Sequence, residues 1–199
     1  MTLAKRYYSY KGRRGVKEIS WDDFHGLCKG LAKAVRSYDP EIIIGIARGG
    51  LYPATLLSHI LQKELYPIRI TRRENDSVSH SRPRWLVRPP ATVKGKKILL
   101  VDEICDTGET LALAKEELKK KGAKEVRSAV LYAHSKNELL PDHIGMISDA
   151  LILNPWDREI LKKDSFVLHP EYAAALEQQG NNRSSLFLLR DVRTRRPKK

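Results

Sequence analysis

Only two cysteines, Cys28 and Cys105, occur in the 199 residues. That excludes a disulfide framework and a multi-thiolate zinc site, and makes a reducing, cytoplasmic setting the expectation. Long apolar runs are missing too. The stretches at 41–47 and 98–101 are far too short to cross a bilayer, so no membrane association is expected. The N-terminus is basic but lacks the apolar stretch of a secretory signal. No Walker A pattern and no Gly-x-Gly-x-x-Gly occurs, which removes support for nucleoside-triphosphate and dinucleotide binding. No internal repeat and no long low-complexity linker is visible. What remains is a globular balance, 41% apolar and 31% charged, in a chain long enough for one full core.

Acidic residues are scarce at both ends. The net charge is +13, and its location matters more than its size. Residues 1–17 carry six basic residues and no acid, and residues 183–199 carry seven against Asp191, so each end holds +6 and the body +1. A nucleic-acid-binding fold more often spreads charge over its body. Nucleic acid is therefore possible as a partner but not favoured, although basic tails can still add affinity for polyanions.

The pattern along the chain alternates. Ser20 and Asp23 read as a helix N-cap signature, and Phe24, Leu27, Cys28, Leu31 and Val35 recur on one helical face. A buried strand is expected at 41–47, then a turn at Arg48-Gly49-Gly50 and a helical face of Leu51, Ala54, Leu57 and Leu61. A second strand is expected at 65–71. Residues 72–92 show no clear period, contain three prolines and carry Arg72, Arg73, Arg82, Arg84 and Arg88; a loop this long inside a compact domain is usually functional or mobile. Then come a central strand at 97–101, a helix at 110–121 stopped by Gly122, and strands at 126–133 and 150–153. Strands alternating with helices imply a parallel, doubly wound α/β sheet with its ligand site at the carboxyl edge.

The turn after the central strand carries the chemistry. It reads Val101-Asp102-Glu103-Ile104-Cys105-Asp106-Thr107-Gly108-Glu109-Thr110-Leu111. Backbone N–H groups of Thr107–Thr110 at a helix start can cradle a phosphate, Gly108 permits close approach or positive φ, and the Thr107 and Thr110 hydroxyls add donors. Acids beside such a cradle would repel a bare phosphate. They suit a ligand that also presents hydroxyls or a metal ion, as a sugar phosphate does. A helix-capping role is the plain alternative for Asp106, as an acidic first turn is for the motif. Cys105 has no partner base in the motif and reads as packing. His25, His59, His80, His143 and His169 show no ligand spacing and read as surface or helix residues.

This eleven-residue segment resembles the 5-phosphoribosyl-1-pyrophosphate (PRPP) signature of type I phosphoribosyltransferases. Ile44-Gly45-Ile46-Ala47-Arg48-Gly49-Gly50-Leu51 resembles the pyrophosphate-binding loop of the same family, in the Arg-Gly-Gly form of bacterial and archaeal xanthine-guanine (6-oxopurine) members. The opening ISWDDFHGLCKGLAKAV and the segment Leu151–Asp157, closing in Pro-Trp-Asp, are similar to that subfamily as well. The resemblance covers residues 19–157; residues 1–18 form a basic arm and 158–199 an extension with a basic tail.

The resemblance implies an α/β type I phosphoribosyltransferase fold, a Rossmann-like parallel sheet flanked by helices with a small hood subdomain. It implies transfer of the phosphoribosyl group from PRPP to a base, with release of pyrophosphate and Mg²⁺ as cofactor, in nucleotide salvage. PRPP would be held by Ala47, Arg48, Gly49 and Gly50 and by Asp102, Glu103, Ile104, Cys105, Asp106, Thr107, Gly108, Glu109 and Thr110. Asp102 and Glu103 would hold the ribose hydroxyls and the metal, and with Asp106 would be catalytic. Asp106 would accept a proton near N7 of a purine. The base would be read by Asp106, by His134 or Lys136 at the position of the family's lysine, and by Leu151 and Ile152 on the purine side. The 72–92 loop would close over the site. A homo-oligomer, dimer or tetramer, is implied. The alternatives are a PRPP-sensing, nucleic-acid-binding regulator that kept the fold without catalysis, and a phosphoribosyltransferase for a non-purine base.

Overall fold

The computed structural model describes residues 12–74, 77–78, 83–135 and 139–180, with no side-chain description at 73, 74, 77 and 78. The described chain forms two compact units, residues 21–149 and residues 12–20 with 150–180. In the smaller unit strand β1 (Val16–Glu18) lies parallel to β10 (Leu151–Leu153), with Val16 beside Leu151 and Glu18 beside Leu153.

In the larger unit the elements run α1 (Trp21–Val35), β2 (Ile42–Ala47), α2 (Leu51–Leu61), β3 (Glu64–Thr71), β4 (Arg73–Glu74), β5 (Ser77–Val78), β6 (Arg84–Val87), β7 (Lys97–Cys105), α3 (Glu109–Lys120), β8 (Glu125–Ala133) and β9 (His143–Ile147). Six strands form one sheet in the order β6-β3-β2-β7-β8-β9. All its pairings are parallel except β3 with β6, so the expected parallel α/β sheet is present with one antiparallel edge. Parallel strands covered on both faces read as apolar runs, and Ile43, Ile44, Leu99, Leu100 and Val101 are accordingly inaccessible.

Alternation along β2 sorts its two faces. Ile42, Ile44 and Ile46 pack with Leu111, Ala114 and Leu118 of α3. Gly45 turns the other way, toward α2: a Cβ there would lie 2.8 Å from that of Ala54 and 2.9 Å from Leu51 Cδ2. Helix α1 buries Phe24, Cys28, Leu31, Ala32 and Val35, and burial pushes the Cys28 thiol up to about 12, which leaves it an inert packing group.

Two expectations are corrected, and one strand is added. The central strand does not stop at 101 but continues to Cys105, because its backbone stays in register with β8 as far as Cys105 beside Ala133. The stretch 72–92 is not patternless: β4 pairs with β5, and β6 pairs with the end of β3. A strand at 143–147, interrupted in sequence by Gly145, closes the sheet edge; a Cβ at Gly145 would lie 2.9 Å from the Leu131 carbonyl oxygen of β8.

The smaller unit holds β1, β10, the antiparallel pair β11 (Glu159–Lys162) and β12 (Ser165–Leu168), and α4 (Pro170–Gln178). Its core is Leu151, Leu153, Leu168, Tyr172, Ala175 and Leu176. Arg158 is buried and donates to Glu18 Oε2 at 2.9 Å and to the Ile19 carbonyl at 3.2 Å, which ties β1 to the segment after β10. His169 is the N-cap of α4, its Nδ1 accepting the Glu171 N–H at 3.2 Å. No helix among the described residues is long and apolar enough to cross a membrane.

Candidate active site

Right-handed crossovers bring the ends of parallel strands to one edge of the sheet. Here that edge gathers the turn after β2, the end of β7 and the residue after β8. The turn Arg48-Gly49-Gly50 lies directly against the acids of β7. A Cβ on Gly49 would fall on the Glu103 carboxylate, and one on Gly50 would lie 2.8 Å from both Cα and Oδ1 of Asp102 and 2.6 Å from the Ile46 carbonyl oxygen. The two motifs, about fifty residues apart in sequence, are therefore one surface. Both glycines are required by close approach rather than by φ. A cis peptide joins Ala47 to Arg48, which no signal in the sequence announced.

The acids differ in surroundings. Asp102 is 8% exposed and accepts the Glu103 N–H on Oδ1 at 2.9 Å. Burial lifts its carboxyl well above the usual carboxylate range, and the neighbouring Glu103 charge adds to the rise. Two adjacent carboxylates, one of them desolvated, form a donor set that a divalent cation would relieve. No cluster of three metal-ligating side chains occurs among the described residues. A cation here would therefore take its remaining ligands from a substrate and water, as Mg²⁺ commonly does.

Beyond Cys105 the chain turns into α3. Gly108 is the N-cap with φ of 83° and makes no side-chain cap itself. Thr107 is exposed and Thr110 half-buried, and Thr107 Oγ1 lies 3.4 Å from the Glu109 N–H. The first N–H groups of a helix have no intrahelical acceptor, and the residues read in sequence as a phosphate cradle stand at this helix start. Helix α2 likewise starts without a side-chain cap and without an acid in its first turn. Behind the loop, Cys105 is buried and its thiol lies 3.6 Å from the Leu139 carbonyl. Leu139 also fills the space beside Gly108. Sequence reasoning missed Leu139, and no local signal marks it.

Asp106 and His134 come together. His134 Nε2 lies 3.8 Å from Asp106 Oδ1, and Nδ1 lies 2.7 Å from the Ser148 carbonyl. Burial raises the Asp106 carboxyl, against the opposing pull of His134. Of the loop arginines, Arg72, just after β3, lies 3.9 Å from Glu109 Oε2 in the first turn of α3. Arg88 is engaged elsewhere, donating to Glu117 at 2.7 Å and stacking on Trp85 at 5.5 Å. Arg82 and Lys136 lie outside the described residues. Leu151 and Ile152 stand in β10 of the smaller unit, both buried, Leu151 in its apolar core.

The chain belongs to the phosphoribosyltransferase family: the model of the phosphoribosyl transferase domain matches residues 20–161. It is 31% identical over 166 residues to a xanthine-guanine phosphoribosyltransferase of Nitratidesulfovibrio vulgaris, covering 80% of this chain and 92% of that one. It is also 31% identical over 128 residues to the hypoxanthine-guanine phosphoribosyltransferase of Saccharomyces cerevisiae, where the match takes 55% of this chain and spans 58% of the yeast protein. A crystal structure of a purine phosphoribosyltransferase from Pyrococcus horikoshii superposes with a TM-score of 0.65 at 32% identity, over 74% of this chain and 98% of that one.

Proposed function

We propose that this chain transfers the 5-phosphoribosyl group of PRPP to a 6-oxopurine, forming the nucleotide and releasing pyrophosphate in a salvage reaction. The observation that carries the proposal is the seating of Gly49 and Gly50 against Asp102 and Glu103. It joins a turn suited to pyrophosphate to a strand end suited to ribose hydroxyls, beside a helix start suited to the 5-phosphate. That order matches the layout of PRPP. The similarity to enzymes named for xanthine, guanine and hypoxanthine supports the base class.

In this reading Ala47, Arg48, Gly49, Gly50 and Arg72 hold pyrophosphate, and residues 107–110 hold the 5-phosphate through backbone N–H groups. Asp102 and Glu103 bind the ribose hydroxyls and would hold Mg²⁺, which when bound neutralises diphosphate charge and helps the leaving group depart. Their negative field favours the positive charge that develops on the ribose as the bond to pyrophosphate breaks. Asp106 accepts a proton from the base. Incubation with PRPP, Mg²⁺ and each of hypoxanthine, guanine, xanthine and adenine tests the proposal. Nucleotide and pyrophosphate are expected in equal amounts with one or more of the first three. Product with adenine alone, or with no base, refutes it.

A further inference from the structure

Three neighbouring strands end in one register row. Cys105 of β7 lies beside Ala133 of β8, and Ala133 beside Ile147 of β9. The next residue on each strand is Asp106, His134 and Ser148. The ladder continues into this second row, the Ser148 N–H donating to the Ala133 carbonyl at 2.9 Å. His134, 4% exposed, is thus enclosed between two strand ends. A carbonyl can only accept, so the 2.7 Å contact with the Ser148 oxygen puts a proton on Nδ1. In the neutral ring Nε2 then carries the lone pair, and it is Nε2 that lies 3.8 Å from Asp106 Oδ1. This is longer than a hydrogen bond but within ion-pair distance.

Carboxylates approach the ring from both sides. On the β7 side it is Asp106. On the β9 side Asp149 Oδ1 lies 3.9 Å from Nδ1. Asp149 is itself held by the Ser135 N–H at 3.0 Å and the Ser135 hydroxyl at 2.6 Å. Imidazole is the one side chain whose charge ordinarily changes between about pH 5 and 8.

We propose that His134 is a positioning residue that works through Asp106 as its proton partner, so that the two carboxyl and imidazole groups load and unload protons as a pair. The inference rests on the reading above that Asp106 serves the base. The proton lost from the base nitrogen passes to Asp106 Oδ1 and from there to Nε2. Asp106 is left ionised and the ring an imidazolium, with no other reactant needed. The Ser148 carbonyl stabilises that imidazolium through Nδ1, and Asp149 lies on the same side. A ring protonated beforehand cannot take the proton, so turnover falls on the acid side of the imidazole range.

Two measurements test the pair. His134→Gln keeps an amide donor for the Ser148 carbonyl but cannot take up a proton. Its kcat is expected to fall on the order of tenfold and to lose the acid limb expected of the wild type in the imidazole range, while KM for PRPP stays within about twofold. A His134→Gln profile that matches wild type in kcat and limb overturns the proposal. Where that variant does not fold, the His134 ring is titrated by NMR in the wild type and in Asp106→Asn. Its midpoint is expected to shift when Asp106 loses its charge, with Nδ1–H as the neutral tautomer. An unchanged midpoint, or the other tautomer, overturns the proposal. A shifted midpoint in a protein that makes no nucleotide refutes the proposed activity and leaves the pair standing. Nucleotide formation with an unaltered limb in His134→Gln does the reverse.

Discussion

Gly49 has no side chain because the Glu103 carboxylate occupies the space where one would begin. Gly49→Ala must therefore displace either the turn or the acid, both assigned to PRPP. Affinity for Mg²⁺-PRPP is expected to fall by about tenfold or more, since overpacking costs about 1–3 kcal/mol. Calorimetric titration measures the affinity and a melting curve checks the fold; unchanged affinity contradicts the assignment. Asp106 is argued differently. It faces His134 rather than the glycine turn, so Asp106→Asn is expected to lower kcat by about a hundredfold with PRPP affinity within about twofold. Steady-state kinetics with the accepted base decide it, and a loss confined to PRPP binding would move Asp106 to the phosphate side. These residues were legible in sequence because each motif is local. Asp149 and Leu139 were not, since their roles come from strand partners elsewhere in the chain.

The elements hold these residues through a few cross-links. Asp142, just before β9, accepts from Lys115 of α3 at 2.6 Å and from the N–H and hydroxyl of Ser128 in β8 at 2.7 and 2.8 Å. Burial opposes its ionisation, but these donors outweigh burial and hold the carboxyl at about 2. A carboxyl lowered on folding adds stability above its unfolded pKa of about 4 and loses it as pH falls toward the folded value. Asp142→Asn is expected to lower stability at pH 7 by about 1 kcal/mol, the partial exposure of the side chain screening the rest. The difference should vanish below about pH 2, and denaturant unfolding at several pH values checks it. A gap that persists in acid contradicts the cross-link. At this scale strands were readable at 41–47, 65–71 and 126–133, against 42–47, 64–71 and 125–133 in the structure, and helices α1 and α3 as periodic faces. Strand β9 was hidden by Gly145, and β6 by arginines and prolines, because an edge strand needs no continuous apolar pattern.

Over the whole molecule the charge of +13 is an end effect, with +6 in residues 183–199. Removing residues 181–199 leaves +7. The shortened chain is expected to leave a heparin column at lower salt while keeping kcat and KM for PRPP within about twofold, because no residue assigned to the site lies there. A large loss of transfer would bring the tail into the reaction. Composition, the alternation of apolar runs and the two glycine- and acid-bearing turns were enough to determine an α/β sheet and its ligand edge, since each depends on neighbours along the chain. Only the tertiary structure decided that β7 carries Asp102 and Glu103 as strand residues, that Gly49 and Gly50 seat against them, and that His134 lies between Asp106 and Ser148. Those are matters of register between strands far apart in sequence, and register is set by packing across the sheet.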